Sequence, residues 1–445
     1  MSLRRLLAFS GRLHRSLCTA ATPPPDSGRG LWTWYMLGKM TAAMGPSPSP
    51  CVSFVGPPRV SKLYMPLNLS NASGLTEPDP EGDVVRVSVG QACAASQDGL
   101  LLLSCQDILV TAPILAKQGG HKVRDMTAAA DPDSVRLASM AHVVFNPHTG
   151  RQCRLPPIQG PKRILAGFHL GILTQRGPPE RYAVAELDGN ANVMLRFLPE
   201  TGDWDLVNCS PFQLPAQRRM VPTQEVVPFR GYLWWVDVTW GAICADPFSD
   251  RPEPHFIELP SGSVLPADTH DQVLRRPRSP LPDAEGNAWW MQAPAMYRRV
   301  GVSGGWLHYV EVSEEEPFVL SSFALDADGS GWTLNHRVAL SPLWADGGFP
   351  WLPLQGETRP KIGVLDLARD DVVYLTVGQH MVVVDIQRGE VVEHCPLEGG
   401  DVCILPCMLT SWLSGSPIPS AGKSDVTEKN TLADVLVRSD RVQKK

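Results

Sequence analysis

One pattern recurs along this chain of 445 residues: an apolar strand, a turn rich in Asn, Asp, Gly and Pro, and then a second strand. β-Branched and aromatic residues flank turns that need either left-handed backbone or a proline of fixed φ, so each copy predicts a β-hairpin. Hairpins repeated at intervals of several tens of residues are typical of a β-propeller. The five copies start at His142–Phe145, Arg196–Leu198, Ala245–Asp246, Phe323–Leu325 and Val382–Val384.

Two more strands precede each hairpin, which gives the four strands of a propeller blade. The nearer strand is a dense apolar run, as expected for a strand that is covered on both faces. These runs are Gly99–Leu103, Tyr182–Leu187, Gly231–Val236, Gly305–Val310 and Val372–Val377. The farther strands are Val84–Val89, Ile164–Leu173, Glu225–Phe229, Tyr297–Val302 and Lys361–Leu367. Five blades are therefore predicted between Val84 and Leu397.

The two ends of the repeat region predict how the ring closes. Cys51–Val55, Val60–Met65 and Val402–Leu413 have strand character, and pairing them would hide otherwise exposed edges. We therefore predict an all-β chain with a single β-propeller over residues 51–413. It has six four-stranded blades, with seven as the alternative. Residues 106–141 and 261–295 are predicted to be long loops inserted into this repeat.

The first 25 residues predict an organelle transit peptide. On a helix, the leucines of this segment share one side and its arginines fall on the other, and the first acidic residue is Asp26. The expected location is the mitochondrion; the alternatives are the plastid, or the cytoplasm or nucleus if the segment is not a transit peptide. Residues 26–50 are interpreted as a Pro/Ser-rich linker and residues 414–445 as a disordered tail. The four arginines are Arg4, Arg5, Arg12 and Arg15.

Charge and apolar length exclude two classes of partner. The net charge of −6 provides no global basic field for nucleic acid. The sequence has no run of 18 apolar residues, so no membrane span is expected. Ten cysteines include no C-x-x-C pair, and the group His394, Cys395, Cys403 and Cys407 does not have the spacing of a known zinc site. We expect burial for these cysteines, and neither a metal nor a cofactor.

The one motif that suggests catalysis is Gly301-Val302-Ser303-Gly304-Gly305, which matches the G-x-S-x-G nucleophile elbow. That motif needs a helix after the serine, whereas Trp306–Val312 predicts a strand. Ser303 is therefore expected in a solvent-facing hairpin turn with a structural role. Ala421–Ser424 resembles a P-loop, but Pro417 stands where the motif requires glycine. No catalytic residue is assigned.

Histidines and tryptophans within predicted strands are interpreted as packing residues. His169 and His308 lie in apolar strands and are expected to be core histidines. Four tryptophans on strands are expected to pack between blades, with ligand stacking at the mouth of the ring as the alternative. They are Trp234, Trp235, Trp306 and Trp332.

Three segments resemble a plant family that is expanded in grasses and known as domain of unknown function 1618. They are Tyr232–Asp246, Phe256–Pro260 and Arg298–Glu311, within a similar region of about residues 234–384. Ala245 before Asp246 lengthens the usual Cys-Asp pairing by one residue. The repeat rhythm is also similar to propellers attached to F-box proteins, but no F-box is visible. The resemblance implies a plant source and an uncharacterised, non-enzymatic role, and it supplies no catalytic residues.

Two functions remain open at this point. The first is a non-enzymatic interaction or scaffold propeller that binds an unknown protein through loops 106–141 and 261–295. The alternative is a hydrolase or lyase whose site is assembled in the central channel from several blades. Clustered histidines and carboxylates in the channel would favour the enzyme, whereas apolar residues would favour the binding protein.

Overall fold

A computed structural model describes ten stretches of the chain: residues 33–45, 49–66, 84–111, 135–160, 169–177, 180–215, 218–266, 294–346, 359–397 and 403–409. These stretches contain 24 strands and one short helix, α1 (Leu340–Asp346). No helix within them is both long and apolar enough to cross a membrane. The predicted transit peptide (1–25) and tail (414–445) lie outside the described residues.

Five blades follow one another along the chain as four-stranded antiparallel sheets. Each begins with its innermost strand and ends with its outermost one. Blade 2 consists of β4 (Val84–Ala95), β5 (Leu101–Thr111), β6 (Val135–Phe145) and β7 (Gln152–Arg154); blade 3 of β8 (Gly171–Gln175), β9 (Arg181–Leu187), β10 (Val193–Phe197) and β11 (Trp204–Asn208). Blade 4 consists of β12 (Val227–Phe229), β13 (Tyr232–Asp237), β14 (Gly241–Ala245) and β15 (His255–Glu258); blade 5 of β16 (Arg298–Ser303), β17 (Trp306–Val312), β18 (Val319–Leu325) and β19 (Trp332–Ala339); and blade 6 of β20 (Lys361–Leu365), β21 (Val372–Val377), β22 (His380–Asp385) and β23 (Glu390–Pro396).

Blade 1 is built from both ends of the described chain. Its strands are β1 (Trp34–Gly45), β2 (Cys51–Ser53), β3 (Val60–Pro66) and β24 (Ile404–Met408), in the order β24-β1-β3-β2. β24 pairs antiparallel with β1, whereas β3 pairs parallel with it. The predicted closure by N- and C-terminal strands is confirmed. The linker interpretation is wrong for residues 34–45, because these residues form β1, the strand that β24 pairs with.

The innermost strands form a closed ring. β24 contacts β4, β4 contacts β8, and the contacts continue through β12, β16 and β20 back to β24. This closure confirms the six-bladed β-propeller and removes the edges that an open array would expose. The inner strands enclose a central channel. We call the end where they begin the N-face and the end where they finish the C-face.

Six apolar clusters lie between neighbouring blades, one at each junction of the ring. They arise because successive side chains on a strand point to opposite faces of the sheet. Trp234 therefore packs against blade 5, and Trp235 packs against blade 3. Both are buried, as predicted, and such large buried side chains dominate the packing energy of the interface between blades.

The first predicted loop is largely strand at its ends. β5 and β6 stay paired from Gln106↔Met140 to Val110↔Val135, so the ladder of blade 2 continues into the segment predicted as loop 106–141. β4 accompanies them, with Val84 opposite Thr111. The bounds of this predicted loop are therefore wrong. Residues 112–134, and residues 267–293 of the second predicted loop, lie outside the described residues.

Candidate functional site

Three charged side chains from three blades meet in the central channel. Lys39 lies on β1, Arg299 on β16, and Glu225 just before β12. Lys39 Nζ is 2.9 Å from Glu225 Oε2, and Arg299 Nη2 contacts the other carboxylate oxygen. The side chains of Lys39, Glu225 and Arg299 are 9%, 7% and 10% exposed, respectively. We call this buried group the channel triad.

The two cations keep Glu225 ionised. Burial alone raises the pKa of this carboxyl group, but Arg299 and then Lys39 outweigh burial and lower the pKa to about 2. Glu225 is therefore a carboxylate at neutral pH and a very weak base. A general base works best when its pKa lies near the operating pH, so this carboxylate is poorly suited to proton transfer.

Arg299 also ties neighbouring blades together. Its Nη1 donates to the carbonyl of Gly363 in β20, and its Nη2 donates to the carbonyl of Ile404 in β24, each at 2.9 Å. A guanidinium group has five N–H donors. Three are used by Gly363, Ile404 and Glu225, which leaves two without a partner among the described residues. The guanidinium group of Arg299 is therefore held in place and still has N–H groups that can donate.

A cavity of about 520 Å³ lies on the C-face side of the triad. Glu225 and Arg299 form its charged floor, and the triad separates it from a smaller space of about 60 Å³ on the N-face. Its walls come from the ends of the inner strands and are mainly apolar. They include Val227, Phe229, Val300, Val302, Leu365, Leu367, Leu405 and Met408. A few polar groups in a mostly apolar concavity are typical of a ligand site.

The mouth of this cavity carries two exposed aromatic side chains beside an arginine. Arg230 and Gly231 have positive φ (49° and 83°) and form the tight turn from β12 to β13. The Arg230 guanidinium lies 5.0 Å from the ring of Phe229 and 4.6 Å from that of Trp306. Trp306 is 39% exposed and Tyr232 38%. The prediction that Trp306 packs between blades holds only in part: its ring contacts Arg230 of blade 4, but its position at the end of a turn leaves it partly exposed.

Ser303 is buried between blades 5 and 6. It is fully buried, and its Oγ donates to the backbone carbonyls of Asp366 and Arg369 in blade 6. The strand β17 follows it, as expected, in place of the helix that a nucleophile elbow requires. The expectation of a solvent-facing turn is wrong because blade 6 covers this turn. The hydroxyl therefore links two blades.

Among the other candidates, His308 is buried, and its two ring nitrogens have no hydrogen-bond partner among the described residues. Its burial agrees with the prediction of a core histidine, but the hydrogen bonds that a satisfied core histidine makes are absent among the described residues. Burial lowers its pKa, against an opposing effect of Asp370. His169 donates its backbone N–H to Glu186. Cys395 Sγ lies against the carbonyl of Pro58, and within the described stretches no three potential metal ligands come together.

The triad was not singled out from the sequence. Lys39 lies in a segment interpreted as linker, and Glu225 and Arg299 were seen only as parts of predicted strands. One available signal is a charged residue at the start of a strand that is otherwise apolar. Such a charge must find a partner when the strand is buried. The sequence does not reveal which partner, because the residues come together only when the ring closes.

Several solved structures are similar to this chain, but only at a low level. The periplasmic gluconolactonase PpgL of Pseudomonas aeruginosa has 11% identity and a TM-score of 0.32, with 84% of this chain and 99% of that chain covered. AztD of Citrobacter koseri has 11% identity and a TM-score of 0.29, with 74% of this chain and 95% of that chain covered. The β-propeller domain of Cps50 (Swd1) from Myceliophteria thermophila has 8% identity and a TM-score of 0.29, with 80% of this chain and 89% of that chain covered. These values are too low to transfer any property of those proteins, and no curated protein matches.

A family model matches one part of the chain. It is described as protein of unknown function (DUF1618), and the match covers residues 235–374. These residues run from β13 in blade 4 to β21 in blade 6 and include Arg299, while Lys39 and Glu225 lie outside them. The resemblance seen in the sequence is confirmed over this region, because residues 235–374 match the model of the DUF1618 family.

Proposed function

We propose that the protein is a non-enzymatic binding propeller that recognises a partner protein at the C-face. The observation that carries this proposal is the neutralisation of Glu225 by Lys39 and Arg299. Glu225 is the one carboxylate lining the two channel cavities among the described residues. Its pKa of about 2 leaves it without a proton to give or a useful affinity for one at neutral pH.

The C-face mouth supplies a surface of the right chemistry for a protein partner. Tyr, Trp and Arg are the residue types that most often dominate binding energy at protein interfaces. Here Arg230 lines an apolar cavity and contacts the ring of Trp306, and the exposed Tyr232 follows Arg230 in the same turn. The contact between Arg230 and the Trp306 ring holds both side chains in place before binding, which reduces the entropic cost of ordering them.

Site-specific photo-crosslinking tests the proposal. A benzophenone side chain replaces Trp306 at the mouth, and in the control protein it replaces Leu334, which is 47% exposed on the outermost strand β19. We expect a discrete crosslinked protein from position 306 that is absent from position 334. The additional substitution Arg230→Glu should abolish it. Equal crosslinking at both positions would contradict the proposed surface.

The enzymatic alternative has its own measurement. The folded protein is incubated with a panel of esters, lactones and glycosides, and products are followed by mass spectrometry. Turnover that disappears in Glu225→Gln, while the variant remains folded, would show that the channel is catalytic. Turnover that survives in that variant would be assigned to a contaminant.

A further inference from the structure

We propose that the C-face cavity binds a small monocarboxylate with an aliphatic body, such as a medium-chain fatty acid. The proposal rests on the proposed non-catalytic role of the channel and adds a ligand to it. Its three supporting features are the charge of the floor, the free donors of Arg299 and the apolar walls.

The floor and the mouth together carry an excess of positive charge. Of the channel triad, Glu225 and Arg299 line the cavity and balance each other, and Lys39 lies behind them on the N-face side. The triad as a whole has a net charge of +1. Arg230 adds a further positive charge at the mouth. A positive charge in a site of low polarity attracts an anion more strongly than the same charge in water. An anionic group is therefore favoured over a neutral or cationic one.

Arg299 can receive a carboxylate without losing its present contacts. Two of its five donors have no partner among the described residues, while the other three keep the group oriented. Charge-assisted hydrogen bonds from arginine to a carboxylate are among the stronger polar contacts in proteins. Arg299 lines the cavity, so a ligand that fills the cavity can contact this residue.

The walls determine the rest of the ligand. From the floor to the mouth they are lined mainly by Val, Leu, Phe and Met residues. A peptide inserted along them would bring backbone N–H and C=O groups that need hydrogen-bond partners. An aliphatic chain has no such requirement and gains free energy with each methylene it buries. The cavity of about 520 Å³ lies within the range found for small-molecule sites.

Displacement of a fluorescent probe, dansyl-aminoundecanoic acid, measures binding to the full-length protein. Hexanoate, octanoate and decanoate form a length series, and decanol and decyltrimethylammonium test the head group. We expect affinity to rise by up to about fourfold per added methylene. Decanoate should bind at least tenfold more tightly than decanol. Decyltrimethylammonium should bind more weakly than decanoate and decanol.

Two variants locate the site. Arg299→Met should weaken decanoate at least tenfold and leave decanol within twofold. Since this variant also disturbs the channel triad, Leu367→Trp provides a second test: it fills the cavity from a half-buried wall position and should weaken both ligands. Leu334→Trp on the outer strand β19 is the matched control and should change neither.

The proposal is overturned if decanol binds as tightly as decanoate, or if Leu367→Trp leaves decanoate binding unchanged. Displacement by an apolar peptide but not by decanoate overturns it too. Failure of the proposed function looks different. Chemical conversion of the bound acid would refute the non-catalytic role while leaving the ligand class intact. Loss of crosslinking at position 306 would refute the partner surface alone.

Discussion

Replacing Glu225 by Gln should destabilise the ring strongly, because it leaves two buried cations without their counter-charge. The carboxyl pKa of about 2, against a usual 4.5, corresponds to roughly 3 kcal/mol of preference for the ionised form. Breaking a buried ion pair by removing one partner typically costs about 3–5 kcal/mol. The two figures agree, so we expect Glu225→Gln to lower the free energy of unfolding by about 3 kcal/mol at pH 7.

The pH dependence of this loss has a definite sign. The folded carboxyl has a lowered pKa, so the unfolded chain binds more protons and acid favours unfolding. The stabilisation is complete above about pH 4.5 and is lost as the pH falls towards 2. The difference in stability between the wild type and Glu225→Gln should therefore be largest at pH 7 and smaller at pH 3.

Urea titration followed by tryptophan fluorescence measures the free energy of unfolding of both proteins at pH 7 and at pH 3. A variant with all three charges replaced, Lys39→Met with Glu225→Leu and Arg299→Met, is the control. Apolar replacement of a whole buried charge group is often neutral, so this variant should recover most of the lost stability. A loss below about 1 kcal/mol for Glu225→Gln, or a difference that does not narrow in acid, would refute the reasoning.

Four further predictions concern other parts of the chain. Ser303→Ala should lower the free energy of unfolding by about 1–3 kcal/mol in a urea titration, because it removes a buried hydroxyl that bonds blade 6. Gly304→Val should cost more, since φ is +56° and a Cβ would meet Asp370 at 3.0 Å; equal stability of both variants with the wild type would contradict this contact. Because burial lowers the His308 pKa, the wild type should lose stability as the pH falls from 7 to 5, and His308→Leu should lose less; parallel thermal-melting profiles would disprove this. Residues 1–25 fused to a fluorescent protein should reach mitochondria, whereas a diffuse signal would refute the proposed transit peptide.

Turn chemistry made the fold predictable. Hairpin turns depend on a few adjacent residues, such as Gly304 with its positive φ, and they recur in every blade from 2 to 6. β1 was missed because its sequence, rich in Met, Ala and Gly, shows no apolar–polar alternation. Its pairing with β24 makes it a strand, and that partner lies at the other end of the chain. Local pattern cannot show a long-range pairing of this kind.

The site was less predictable than the fold because it depends on which blades face one another. Lys39 and Glu225 are 186 positions apart, and Arg299 follows Glu225 by 74. Ser303 illustrates the same limit: its turn was predicted, but its burial depends on blade 6, which the motif around it does not reveal. Exposure of Trp306 likewise follows from the position of its turn at the channel mouth.

Closure of the ring and binding in the channel depend on the same charges. Lys39 brings blade 1 to Glu225, which precedes blade 4, and Arg299 bonds the carbonyls of Gly363 in blade 6 and Ile404 in blade 1. The triad therefore holds four of the six blades around the channel. The triad keeps a net positive charge because two cations make these contacts, while the single carboxylate neutralises only one cation. An anion bound at Arg299 would balance that charge and bind the closed ring only, so by mass action it would stabilise the closed ring over an opened one.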